Sequence, residues 1–444
     1  MFGCRNADPE LDSRTYTHPF GPAIVTSPQQ NWTYSHFNNA HEFQNHGPKM
    51  SAIRSSLSRM DISDFTIDVP QTDLDDLTAR LTRTRFPNGH ATGWGTGTDL
   101  DTMRRLTSYW AQDYDWRRVE ARLNEFPHHL ADGTLHFIHA RSDRPDARPI
   151  LLLHGWADSF AKYVGIIDAL RNPVNADAPA FHVVVPSLPG FGFSEQLPDG
   201  DAGPETTAAP LVALMETLGY DRYFVHGGDW GSVVGQEVVR ANPDRILGLH
   251  LTDIPFPNLF MVDRESVTDD EKAFLDALDS WSENDAAYVS IQSSRPLTLA
   301  YGLSDSPVGL AAWIIDHFGR LSDSLPSDED LITNVMTYWV RNSIHSSTRL
   351  YSEGAAWDEE SGDQDRADTE DWADTGDWDP VIHVPTAIAV FPRDIGRPPR
   401  EFVERFFDVV RYTVHPRGGH FAALEVPELV VADIQAFAGN LEAE

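Results

Sequence analysis

Three observations predict an α/β protein built on a mostly parallel central sheet. First, Pro149 to Leu153, His182 to Pro186, Tyr223 to Val225 and Ile246 to Leu251 are continuous apolar runs, as suits strands buried on both faces. Second, residues 260–350 are helical in pattern and interrupt the strand–helix alternation. Third, Thr386 to Phe391 and Val409 to Val414 restore the strands before a final helix from Pro427 to Leu441.

The remaining elements follow in chain order. Residues 1–60 are polar and aromatic without period and read as a poorly ordered extension, whose true start could also be Met50 or Met60. His18, His36, His41 and His46 lie there at spacings that match no standard zinc pattern. Residues 61–148 form an N-terminal meander. Phe65 to Pro70 alternates like a strand, and Asp73 to Leu81 repeats leucine at helical spacing. Tyr109 to Arg117 reads as helical, and Phe126 to His139 as a β-hairpin turning at Asp132-Gly133. Residues 149–258 are the first part of the core and 259–356 a helical lid over the strand ends. The acid-rich stretch 357–380 reads as a solvated loop, because it lacks the ordered Asp/Asn-Gly-Glu spacing of a calcium site. Residues 381–444 complete the core.

Bulk properties exclude several function classes. The 444 residues carry a net charge of -34, which argues against nucleic acid and anionic membranes, since both are polyanions. No run reaches the roughly 18 apolar residues of a membrane span. The start lacks the basic and apolar regions of a secretory signal. A soluble, cytoplasmic protein is expected. Cys4 is the one cysteine, so no internal disulfide forms. Lys49, Lys162 and Lys272 are the only lysines. That bias fits a GC-rich genome favouring arginine codons, or an acidic surface adapted to salt.

The chemistry concentrates in Val225-His226-Gly227-Gly228-Asp229-Trp230-Gly231-Ser232. A small-x-acid-x-small run between a strand and a helix is the nucleophile elbow of an α/β-hydrolase, with Asp where an esterase carries Ser. Glycines permit the sharp turn. An aspartate there attacks carbon and forms a covalent ester, so epoxide opening and dehalogenation are the main outcomes. Ser232 lies outside the apex. The base candidate is His420, behind Gly418-Gly419 and after the last strand; His415 is near but lacks the glycine turn. Asp394 and Asp253 both follow strands and could orient the histidine. Chain order favours Asp394. His154-Gly155-Trp156 follows the first core strand, so the amides of Trp156 and Trp230 are expected to form the oxyanion hole.

From Phe65 to Leu441 the chain resembles the microsomal-type epoxide hydrolases, which include juvenile-hormone members. The resemblance is carried by Arg80 to Pro87, His154-Gly155-Trp156, Gly227 to Ser232, Asp305 to Leu310 and Gly418 to Ala423. It implies an α/β-hydrolase fold with a mostly parallel central sheet, a helical lid and an N-terminal meander domain. It implies conversion of an epoxide and water to a vicinal diol, with no cofactor and no metal. It assigns two lid tyrosines, Tyr288 and Tyr351, to the oxirane oxygen; a phenol with a pKa of about 10 suits that task. By residue type alone Tyr301 is equally eligible. The expected partner is a small-molecule epoxide, and a homodimer is compatible with the chain. One departure is Ala157, where the family usually has proline; it removes no donor but bears on the loop's shape. The rival readings are a haloalkane dehalogenase using the same Asp229 and a non-catalytic hydrolase-fold binding protein.

Overall fold

The computed structural model describes residues 59–89, 93–354 and 381–441. The readings made for residues 1–58, including Cys4 and the four histidines, and for the acidic stretch 357–380 fall outside the described residues.

A nine-stranded sheet organises the described residues. Its strands are β1 (Ile62–Phe65), β2 (His128–Ala131), β3 (Leu135–Ala140), β4 (Arg148–Leu153), β5 (Phe181–Pro186), β6 (Tyr223–Gly227), β7 (Ile246–Leu251), β8 (Ile382–Val390) and β9 (Phe407–Val414). The order across the sheet is β1-β2-β3-β5-β4-β6-β7-β8-β9. Strands β1, β2, β3 and β5 pair antiparallel, and every pairing from β5 to β9 is parallel. The chain passes from β4 to β5 on one side and returns to β6 on the other. That reversal opens a crevice at the carboxyl ends of β4 and β6, where ligands bind in open α/β sheets. Ile150 to Leu153 of β4 are buried, as their unbroken apolar run requires.

The expected hairpin forms β2 and β3. Asp132 and Gly133 take φ of 51° and 70° at its turn, the left-handed values that Asp-Gly accommodates. The alternating run from Phe65 to Pro70 differs from expectation. Only Ile62–Phe65 is a strand. Beyond it, the Asn124 side chain bonds the amide and carbonyl of Ile67 at 3.0 and 2.8 Å, and the Glu120 carboxylate accepts from the Val69 amide at 2.8 Å. Ile67 and Val69 are buried. The alternation therefore reflects packing against the helix Trp116–Leu123, with side chains replacing a partner strand. The aromatic stretch before it is two helices, Leu100–Gln112 and Trp116–Leu123, the second capped by Asp115.

Among the described residues, six α-helices lie between β7 and β8: Asp269–Asp285, Ala287–Ser294, Pro296–Asp305, Pro307–Leu321, Asp328–Trp339 and Ile344–Gly354. Their starts are written locally. Thr268, Ser306 and Ser327 cap the following amides, and Pro296 and Pro307 occupy first-turn positions. No helix among the described residues is long and apolar enough to cross a membrane.

Between β6 and the helix Trp230–Ala241 the chain turns at Asp229, which takes φ 57° and ψ -131°. The left-handed φ belongs to Asp229 itself, and the neighbouring glycines serve close approach. A Cβ on Gly227 would meet the Gly231 carbonyl oxygen at 2.2 Å, and one on Gly231 would meet that of Leu153 at 2.1 Å. The elbow thus packs backbone on backbone against the end of β4. Gly231→Ala is expected to destabilise the fold by about 1–3 kcal/mol through this overlap. Urea unfolding measures it, and an unchanged midpoint would show that the two strand ends can part freely.

Candidate active site

The crevice at β4 and β6 gathers the expected residues. Asp229 projects from the elbow, and its Oδ1 accepts the Trp156 amide at 2.7 Å. The Trp230 amide bonds the same carboxylate. Both expected oxyanion donors therefore already hold the Asp229 side chain. Gly155 makes this contact possible, because a Cβ there would lie 2.3 Å from Asp229 Oδ1.

His420 faces Asp229 from the turn after β9, with Nε2 3.4 Å from Oδ2. Its Nδ1 is 2.7 Å from Asp394 Oδ1. That spacing links a carboxylate, an imidazole and a second carboxylate in one line. Burial pushes Asp229 upward, but the hydrogen bond and charge of His420 and the two amides outweigh it, and its carboxyl lies below the usual range. Burial pushes His420 down; the charge of Asp394 and the hydrogen bond to Asp229 reverse this, holding the ring well above its ordinary value. The resting site is thus an imidazolium between two carboxylates.

Asp253 occupies a different place from Asp394. Its Oδ2 accepts the Asp229 amide at 2.5 Å. Asp253, Asp394 and His420 offer ligand atoms within 4.8 Å of one another. One carboxylate oxygen meets the imidazole and another holds the elbow amide. His415 turns away from it, with Nε2 3.3 Å from Asp433. Ser232 Oγ donates to the Asp229 carbonyl at 2.7 Å and does not face the cleft as a nucleophile.

The inserted helices supply the opposite wall. Tyr288 stacks on Trp156 with ring centroids 5.7 Å apart, and Tyr351 meets Trp156 edge-on at 5.9 Å. The two tyrosine rings are 6.1 Å apart. Burial, and then the Asp229 charge for Tyr288 and the Tyr288 and Asp229 interactions for Tyr351, raise both phenols, so each keeps its proton. Tyr301 is 74 % exposed, which separates it from the site. Trp156 Nε1 donates to Ser347 at 3.3 Å, and the Trp230 side chain bonds Tyr351.

Several contributors escape a reading by residue type. His317 lies edge-on to Tyr288 at 4.2 Å and to Trp156 at 5.0 Å. The available signal was a polar ring on the buried stripe of Leu310, Ile314 and Phe318 in one helix. Asp158, buried beside the cleft, accepts the Gly155 amide at 2.8 Å and pairs with Lys162 Nζ at 2.6 Å. From the helix Asp328–Trp339, Asn334 Nδ2 donates to the Ala157 carbonyl at 2.7 Å and Tyr338 donates to the Asp158 carbonyl at 2.5 Å. This loop keeps its Trp156 donor on Asp229 although Ala157 stands where proline was expected.

Comparison with known proteins places the chain in a family. Residues 62–163 match the family described as epoxide hydrolase N terminus, and residues 148–313 the family described as alpha/beta hydrolase fold. Epoxide hydrolase 1 of Oryctolagus cuniculus is 30% identical over 86% of this chain and 89% of its own. Juvenile hormone epoxide hydrolase 2 of Ctenocephalides felis is 32% identical over 76% of this chain and 77% of its own. The crystal structure of juvenile hormone epoxide hydrolase from Bombyx mori superposes with a TM-score of 0.74 at 26% identity, covering 88% of this chain and 97% of that one.

Histidines kept neutral inside the fold set an acid limit. Burial lowers His317 to about 3 and His154 and His139 to about 4, and it holds His136 and His226 well below the ordinary value. These groups are neutral when folded and take up protons when unfolded, between about 4 and 6.5. Stability is therefore expected to fall as pH drops through that window. His420, raised when folded, contributes in the opposite sense: its share is full below about 6.5 and is lost as pH rises through its folded value. Urea midpoints measured from pH 7 down to pH 5 test the balance, and a flat profile would contradict it. His317→Phe is expected to shallow the slope.

Proposed function

Since the chain belongs to the epoxide hydrolase family of α/β-hydrolases, we propose that Asp229 is the nucleophile through which it converts an epoxide and water to a vicinal diol. The observation that carries this reading is the single buried cleft in which the Asp229 carboxylate faces His420 on one side and the wall of Tyr288 and Tyr351 on the other.

Asp229 attacks the less hindered epoxide carbon, the ring C–O bond breaks, and a hydroxyalkyl ester forms. Tyr288 and Tyr351 hydrogen-bond the leaving oxygen, and one supplies its proton. Esterification removes the Asp229 charge, one of the interactions that raise His420. The ring's proton affinity then drops at the moment a base is needed. The proton balance closes, because ring opening leaves one tyrosinate in need of a proton and His420 has one to release. His420, oriented by Asp394, next takes a proton from water, and the hydroxide attacks the ester carbonyl carbon. The Trp156 and Trp230 amides hold the developing oxyanion. Collapse breaks the ester C–O bond, the proton of the new carboxylic acid passes to the departing alkoxide, and the diol leaves with Asp229 again a carboxylate. We read residues 259–356 as the lid that excludes bulk water from these steps.

A haloalkane dehalogenase would need free ring N–H donors for halide. Here the Trp156 indole is bonded to Ser347 and the Trp230 side chain to Tyr351, which favours the epoxide. A non-catalytic binding protein would not need the aligned Asp229, His420 and Asp394.

The test is a single turnover with a styrene-type epoxide, followed by intact mass. His420→Gln is expected to accumulate the ester adduct, and Asp229→Asn to form none. Tyr288→Phe and Tyr351→Phe are each expected to slow adduct formation by roughly 10²–10³-fold. Halide release from a haloalkane with no diol from the epoxide would reject the reading.

A further inference from the structure

Asp253, at the end of β7, is used by none of the steps above. Its Oδ2 is committed to the Asp229 amide at 2.5 Å. Its Oδ1 is buried and has no hydrogen-bond partner. Asp394 shows the same imbalance: Oδ1 meets His420 and the Ile395 amide, while Oδ2 is buried without a partner. Both carboxyls stand within 4.8 Å of the same imidazole and of each other. Two buried anions so close disfavour one another, and each orphaned oxygen carries a desolvation cost. A single proton held between the pair relieves both penalties, since one oxygen donates and the other accepts.

We propose that Asp253 is a positioning residue of the reaction, sharing one proton with Asp394 so that the nucleophile's backbone and the base's orienting acid form one hydrogen-bonded unit. The proposal rests on the Asp229 and His420 roles given above. The unit does two things. It pins the elbow amide of a residue held at positive φ. It also presents His420 with one shared negative charge instead of two. The surroundings fit. Burial, joined by the charge of Asp394, pushes Asp253 up to about 7 against the pull of His420. The ionisable groups facing it are Asp229 from the elbow, Asp394 after β8, His420 after β9, and the phenol of Tyr163. His420 alone among them brings a positive charge.

Infrared difference spectra across a pH titration test the shared proton directly. A protonated carboxyl band titrating near neutrality is expected in the wild type and diminished in Asp253→Asn, where, among the described residues, only the Glu237 carboxyl, which burial also raises to about 7, remains to supply it. In Asp394→Asn the band is expected to titrate at lower pH, because the neighbouring charge that raises Asp253 is gone. Kinetics test the positioning role. Asp253→Leu is expected to slow hydrolysis of the ester on the order of 10²-fold, as loss of alignment does, and more than it slows ester formation. Asp253→Asn can accept from the Asp229 amide and donate to Asp394, so it is expected to recover most of that loss. It should also lose the pH step near neutrality seen in wild-type ester hydrolysis. Wild-type rates in Asp253→Leu for both half-reactions would overturn the proposal. So would a carboxyl band left undiminished in Asp253→Asn, or a wild-type minus Asp253→Asn difference band that keeps its midpoint when Asp394→Asn is added to both proteins. Should Asp253→Leu fail to fold, the spectra still decide. If no ester forms in any protein, the nucleophile assignment fails, and the band alone judges the carboxyl pair.

Discussion

A carboxylate placed at the inner end of a buried strand takes up a proton unless its surroundings stabilise the charge. Asp229 stands under that constraint, and the features around it answer to it. Burial alone would make it a neutral acid, useless as a nucleophile. Two backbone amides and an imidazolium reverse the balance. The amides come from loops after β4 and β6, so those strands must end side by side. That adjacency requires glycine at 155 and 231, where a methyl group would overlap Asp229 and the Leu153 carbonyl. The sheet order, the glycines and the charge state of one side chain are parts of one arrangement.

The opposite wall follows a second logic. Tyr351 is buried and Tyr288 half-buried, both near a negative charge, and desolvation and charge together hold the proton on each phenol. In the proposed reaction, the donors for the leaving oxygen are thus kept loaded by the same anion that attacks. The aromatic packing of Trp156, Tyr288, Tyr351 and His317 joins the sheet side to the inserted helices. Neutral His317 adds bulk and polarity there without competing for the role of His420.

The elbow and the terminal histidine were legible because their signals are local: a strand, a turn of small residues, a helix. Parallel strands were legible from unbroken apolar runs. Other features depend on partners far away in the chain. Asp253 and Asp394 both follow strands; chain order favours Asp394 for the imidazole, but only the third dimension gives Asp253 the elbow amide. Tyr288 and Tyr301 differ in which face of a helical layer they occupy, a matter of packing between helices. Phe65 to Pro70 alternates as a strand does, yet Asn124 and Glu120 satisfy its backbone. Alternation records burial, and burial does not require a ladder.

The grip of the helix Asp328–Trp339 on the loop after β4 bears on how a substrate is admitted. Asn334 holds the Ala157 carbonyl and receives the Ser159 hydroxyl, and Tyr338 holds the Asp158 carbonyl. Swinging that helix outward would tear these bonds and drag the Trp156 amide off Asp229. It behaves as a fixed jamb, so a gate that opens without dismantling the chemistry must hinge elsewhere in the inserted layer. Opening and readiness are then separable, and a molecule arriving at the cleft meets a site already assembled.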